Sequence, residues 1–125
     1  MVTLAISTET YELSGEPLET ARAAVYRNAL WDAAGDVNGN DPDHATYNPG
    51  RFEWLTHVVY LVETLGAPGD PLEPVTLTGL DLAIARRAAL EAATLAWDRD
   101  DADAQKSELL AAQRLLVALG WPAAA

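Results

Sequence analysis

Apolar and polar residues alternate at the start of the chain. Val2, Leu4 and Ile6 fall on one side, and Thr3, Ala5 and Ser7 on the other. That is the period of a half-buried strand. A second extended piece, Thr10–Leu13, is placed to fold back through Ser7-Thr8-Glu9 as a hairpin, although the turn lacks Gly or Asn; Val75–Leu77 is another candidate strand partner. The pattern then changes to a helical period. Leu18, Ala21, Val25 and Ala29 form a stripe with Tyr26 and Leu30 beside it, predicting a helix from about Pro17 to Ala34. Pro17 suits its first turn, Glu16 and Glu19 complement its dipole, and Gly35 supplies a left-handed stop.

After a polar loop, Asp36–Asn48, a second helix is expected from Pro49 to Leu65, capped by Asn48 and stopped by Gly66. Phe52, Leu55, Val59 and Val62 line one face of it, and Trp54, Val58, Leu61 and Leu65 the next. So wide an apolar surface predicts a central helix, with Leu55, Val59 and Val62 buried. The proline-rich stretch Ala67–Pro74 reads as a linker within one domain. Thr78 is expected to cap a third helix running to Trp97, with Asp81 at the capping-box position. Its alanine-rich flank allows close helix approach. A fourth helix is expected from Asp101 to Gly120, carrying Leu109, Ala112, Leu116 and Leu119. Beyond it, Trp121 packs back and Pro122 bars extension.

The pattern therefore predicts a mainly α fold: a four-helix bundle-like domain with a small N-terminal β-strand or hairpin. One domain is expected over the 125 residues, with a β element at 1–14, a helical core at 15–122 and a flexible alanine tail at 123–125. Half of the residues are hydrophobic, enough for a core without staples. The absence of cysteine excludes disulfides, thiolate catalysis and cysteine-ligated zinc. No signal-peptide pattern opens the chain, and apolar runs such as Val58–Val62 fall far short of a membrane span. A cytoplasmic location is expected.

The net charge is -11, and Lys106 is the single lysine. Such a surface repels nucleic acid and anionic membranes and favours basic partners. Abundant Ala and Asp, with Arg over Lys, also fit the plain compositional bias of a GC-rich genome.

The loop Asp36–Asn48 spaces oxygen side chains at Asp36, Asn38 and Asn40, as an EF-hand loop does. Asp41 then stands where the invariant Gly belongs and Tyr47 where the bidentate Glu belongs. Turn and cap chemistry accounts for the same residues, so neither metal nor cofactor is expected there. Glu53 and His57, four apart on the second helix, could combine with Asp41, Asp43 and His44 into a His/carboxylate site. This is the candidate set for a metal-dependent enzyme. Glu16-x-x-Glu19 has the spacing of the helical carboxylate pairs of metal-dependent nucleotide pyrophosphohydrolases. The matching Glu-x-x-Asp on a later helix is missing, and both acids suit a first turn.

Asp98, Asp100, Asp101 and Asp103 form an acidic run that helix capping explains. Of the four tryptophans, Trp54 and Trp97 lie beside apolar stripes and are expected in the core. Trp31 and Trp121, near helix ends, are the candidate interface anchors.

With no convincing catalytic set, the leading expectation is a protein–protein interaction module: an adaptor, inhibitor or assembly factor, acting as a homodimer or on a basic protein partner. This is also the profile expected of a phage or mobile-element accessory protein. The alternative expectation is the metal-dependent enzyme.

Overall fold

The structure, a computed structural model, describes residues 9–121. The strand expected over Val2–Ile6, most of its turn, Pro122 and the alanine tail lie outside the described residues. The elements are β1 (Thr10–Leu13), α1 (Gly15–Ala24), a π-helical segment (Val25–Leu30), α2 (Trp31–Gly35), α3 (Val37–Asn40), α4 (Pro49–Leu65), β2 (Val75–Thr78), α5 (Gly79–Trp97) and α6 (Ala102–Ala118). The protein is mainly helical, with a small two-stranded antiparallel sheet.

β1 pairs with β2, from Thr10 opposite Thr78 to Leu13 opposite Val75. Among the described residues its partner is therefore distant in sequence; the local hairpin expected with Val2–Ile6 involves residues outside the described ones. Period-two geometry explains the choice. Tyr11, Leu13, Val75 and Leu77 share one face and pack on the core, with Leu13 and Leu77 fully buried.

α1, the π-helical segment and α2 form one rod, because the residues at both junctions, Ala24, Val25, Leu30 and Trp31, keep right-handed helical dihedrals. The rod is one position longer at its C-terminal end than expected. Gly35 is not left-handed: positive φ among the described residues occurs at Gly15, Gly66, Gly69, Gly79 and Gly120. Asp36 ends the rod at φ -83° and ψ 70°. Its carboxylate accepts from the Gly39 N–H at 3.1 Å and caps α3, so the expected polar loop contains a helical turn. A side chain at Gly39 would collide with that carboxylate.

α4 starts as expected. Asn48 Oδ1 accepts from the Gly50 N–H at 3.0 Å, Pro49 opens the helix, and Gly66 at φ 86° closes it. Its inward face is the second of the two predicted stripes. Val58, Leu61 and Leu65 are buried, Leu55 and Val62 are half-buried, and Val59 is 40% exposed. The expectation that Val59 is buried is thus corrected. α4 packs on the rod and on α5 along the Val58–Leu65 stripe, so the adjoining stripe lies at the edge of the contact, with Leu55 and Val62 packed against the core and Phe52 and Val59 turned outward.

α5 turns Leu82, Ile84, Ala85, Ala88, Ala89 and Ala96 inward. Its small side chains admit α6 and the rod closely. The Thr78 hydroxyl does not cap α5; it donates to the Glu9 carbonyl at 3.0 Å and ties down the sheet edge. α6 is capped by Asp101, which accepts from Asp103 N–H at 2.9 Å and Ala104 N–H at 3.4 Å. It ends in a Schellman motif: Trp121 N–H donates to Leu116 O at 2.8 Å and Gly120 N–H to Val117 O at 3.0 Å.

Two arginines lock the helix ends. Arg22, buried at 4% exposure, donates to the backbone carbonyls of Leu65, Asp70 and Pro71 at 2.5, 2.7 and 2.9 Å. It thereby satisfies one orphan acceptor at the end of α4 and two carbonyls of the linker that follows. Arg86 donates through Nε and Nη2 to the Leu119 carbonyl at 2.9 and 2.6 Å, and through Nη2 to Glu9 at 3.1 Å. Its guanidinium lies 5.5 Å from the ring centres of both Tyr11 and Trp121, within cation–π range.

Candidate functional site

The His/carboxylate residues are positioned by local turn chemistry. Asp41 Oδ1 accepts from the Asp43 N–H at 2.9 Å. His44 Nδ1 accepts from the Thr46 N–H at 3.1 Å and lies 2.8 Å from the Thr46 hydroxyl. Asp43, His44, Glu53 and His57 are all exposed. His57 lies close enough to Asp81 to act on its carboxyl. Burial pushes the Asp81 pKa up, and the His57 charge opposes that shift. Among the described residues, no group of three or more His, Cys, Asp or Glu side chains is placed to hold a metal ion.

Of the EF-hand-like oxygens, those of Asp36 are engaged within the fold, whereas the buried Asn40 Oδ1 has no hydrogen-bond partner among the described residues. Asp36 caps α3 and pairs with Arg51 at 3.0 Å. Asn40 directs its amide N–H to Ala33 O at 2.8 Å. Of the other carboxylates considered, Glu16 pairs with Arg114 at 3.0 Å, and Glu19 faces Arg22 at 3.8 Å.

The tryptophans divide differently from the sequence expectation. Trp31 exposes 80% of its surface, as an anchor would. Trp121 is half-buried and engaged by Arg86. Trp54 packs partly against the core, whereas Trp97, expected inside, is 69% exposed. The alanine flank explains this correction. Beyond Ile84, α5 carries two apolar stripes, and the small one, with Ala85, Ala88, Ala89 and Ala96, goes inward because it lets the neighbouring helices come close. Leu90, Leu95 and Trp97 are left outside.

An open surface thus forms between the rod and α5. Thr20, Ala23, Arg27 and Asn28 on the rod face Ala92 and Leu95 of α5 across a hollow of about 180 Å³ that Glu108, Ala111 and Ala112 of α6 also line. Leu95 also borders a shallow depression of about 510 Å³ on the outer side of α5, with Arg87, Leu90, Glu91 and Thr94. Arg87 continues the surface to a hollow of about 230 Å³ with Asp32, Arg51 and Trp54. These concavities are broad and shallow, unlike the enclosed pockets that bury a small ligand. Sequence reasoning missed Arg87, Leu90, Leu95 and Trp97. The available signal was that α5 is apolar around much of its circumference.

A second polar cluster sits where β1, α5 and the end of α6 meet. The Arg86 hydrogen bond, and then that of the Tyr11 hydroxyl at 2.9 Å, hold the Glu9 carboxyl below its ordinary pKa. The same bond to Glu9 raises the Tyr11 phenol. Every donor here is directed at a group of the fold, which makes the cluster a clasp between segments.

Among the described residues no helix is long and apolar enough to cross a membrane. No family model, no curated protein and no solved structure matches the chain.

Proposed function

We propose that this protein is a protein–protein interaction module, an adaptor, inhibitor or assembly factor, that works as a homodimer. The helical rods serve as its four-helix bundle-like scaffold. The observation that carries the reading is the outer surface of α5, where Leu90, Leu95 and Trp97 are 43%, 57% and 69% exposed. Large apolar side chains grouped on one helix and rimmed by Arg87 and Glu91 suit a docking surface. Trp31, on the neighbouring rod, adds a rigid aromatic anchor. The net charge of -11 directs such a surface toward proteins and away from nucleic acid. A cysteine-free chain fits a reducing, cytoplasmic setting. The enzyme reading has no comparable support, because Asp41, Asp43, His44, Glu53 and His57 are spent on turns or spread over exposed positions.

Sedimentation over a wide concentration range tests the reading. The expected result is a dimer lost in Leu90→Asp but retained in Val117→Asp, a substitution at a 60% exposed apolar position on α6. A chain that stays monomeric, with no protein ligand sensitive to Leu90→Asp, overturns it.

A further inference from the structure

We propose that two copies meet along the outer stripe of α5, paired antiparallel, so that Leu90 of each copy packs on Thr94 of the other and Arg87 of each meets Asp98 of the other. The proposal rests on the homodimer reading above and names its surface.

Five positions of α5 are exposed, Arg87, Leu90, Thr94, Leu95 and Trp97; Leu95 borders the hollow against the rod, and the other four are spaced symmetrically. Arg87, Leu90, Thr94 and Trp97 follow one another at intervals of three, four and three, a pattern that reads the same in both directions and keeps to one side of a helix. A two-fold axis across the middle of the stripe therefore superposes it on itself with the chain reversed. Leu90 then faces Thr94, and Arg87 faces the Trp97–Asp98 end. A symmetric dimer needs this kind of self-complementary patch.

Charge fixes the direction. The outward cation of α5 is Arg87, whose side chain is 72% exposed, whereas Arg86 is 12% exposed and committed to Leu119 and Glu9. The other end of α5 runs into Asp98, Asp100 and Asp101, all exposed. Antiparallel pairing sets cation against anion twice, and parallel pairing would oppose like ends. The helix dipoles favour the same direction. Trp97 of each copy comes over the Ala83–Arg87 turn of the other, where a small residue leaves room and the guanidinium offers a cation–π contact. The two Glu91 carboxylates reach the same flank, each held 3.1 Å from Arg87 of its own copy. The acidic run at Asp98 thereby gains a role beyond the capping done by Asp101.

The absence of cysteine gives a clean test. Chains carrying Leu90→Cys and chains carrying Thr94→Cys are mixed and oxidised at moderate ionic strength. The expected product is a disulfide dimer containing one of each, formed faster than any dimer of a Val117→Cys chain. In sedimentation, Arg87→Asp alone and Asp98→Arg alone each weaken association by roughly tenfold, since two attractive pairs become repulsive. The double variant restores it. Positions 87 and 98 are about 16 Å apart along one helix, so rescue can only arise between copies. Unchanged circular dichroism confirms that each variant is folded. A dimer indifferent to both swaps and without the mixed disulfide overturns this surface while leaving the homodimer reading intact. A chain monomeric throughout overturns both.

Discussion

Gly120 is fixed by two demands at once. Its φ of 85° lies in the left-handed region, and a Cβ there would run into the Tyr11 phenol. Gly120→Ala is expected to cost about 1–3 kcal/mol, combining backbone strain with displacement of the aromatic ring, as read by denaturant unfolding. Asp81 illustrates the opposite case, a residue the fold tolerates at a cost. Burial raises its carboxyl pKa more than His57 lowers it. A raised pKa contributes stability that is fully present below the ordinary aspartate value and lost as pH rises through the raised one. Asp81→Asn is therefore expected to be more stable than the parent at neutral pH, with the two unfolding curves converging in acid. A constant offset across pH would show that the effect is not ionisation.

At the scale of elements, α4 carries the sharpest test, because it presents two adjoining apolar stripes. Val58→Ala removes fully buried methyl groups and is expected to cost about 1–3 kcal/mol. Val59→Ala, at a 40% exposed position, is expected to stay within about 0.5 kcal/mol. Equilibrium unfolding of the pair measures which stripe faces inward. Periodicity could not decide this. It marks both stripes as apolar, and the choice lies with what packs against them. The caps at Asn48 and Asp101, the stop at Gly66 and the Schellman turn at Gly120 were readable in advance, since each depends on a few neighbouring residues. Val75–Leu77 was readable as a strand, but its pairing with β1 was not, because strand pairing over long separations leaves only a weak local trace. The same limit applied to the candidate site. Trp31 was recognisable near a helix end, whereas Leu90 and Trp97 were hidden among residues that look like core. The π-helical segment at Val25–Leu30 has no obvious marker in its sequence.

For the molecule as a whole, Arg86 joins three segments that are remote along the chain: β1 through Glu9 and Tyr11, α5 on which it sits, and the end of α6 through Leu119 and Trp121. Arg86→Met keeps much of the aliphatic stem but leaves the Leu119 carbonyl without its charged donor. A loss of about 2–3 kcal/mol is expected. Hydrogen exchange should quicken together at the amides of β1 and at Trp121; acceleration confined to α5 would show that the clasp does not couple these segments. The β1–β2 ribbon, with Thr10 opposite Thr78, also imposes an order of assembly. Closing it brings together residues separated by the rod and α4, a search whose entropy is recovered only after those helices have docked. The ribbon is thus expected to form late, with small φ-values at Leu13 and Leu77. On the ribosome, β1 emerges before β2, and it must wait for the rod and α4 to follow before it can be paired.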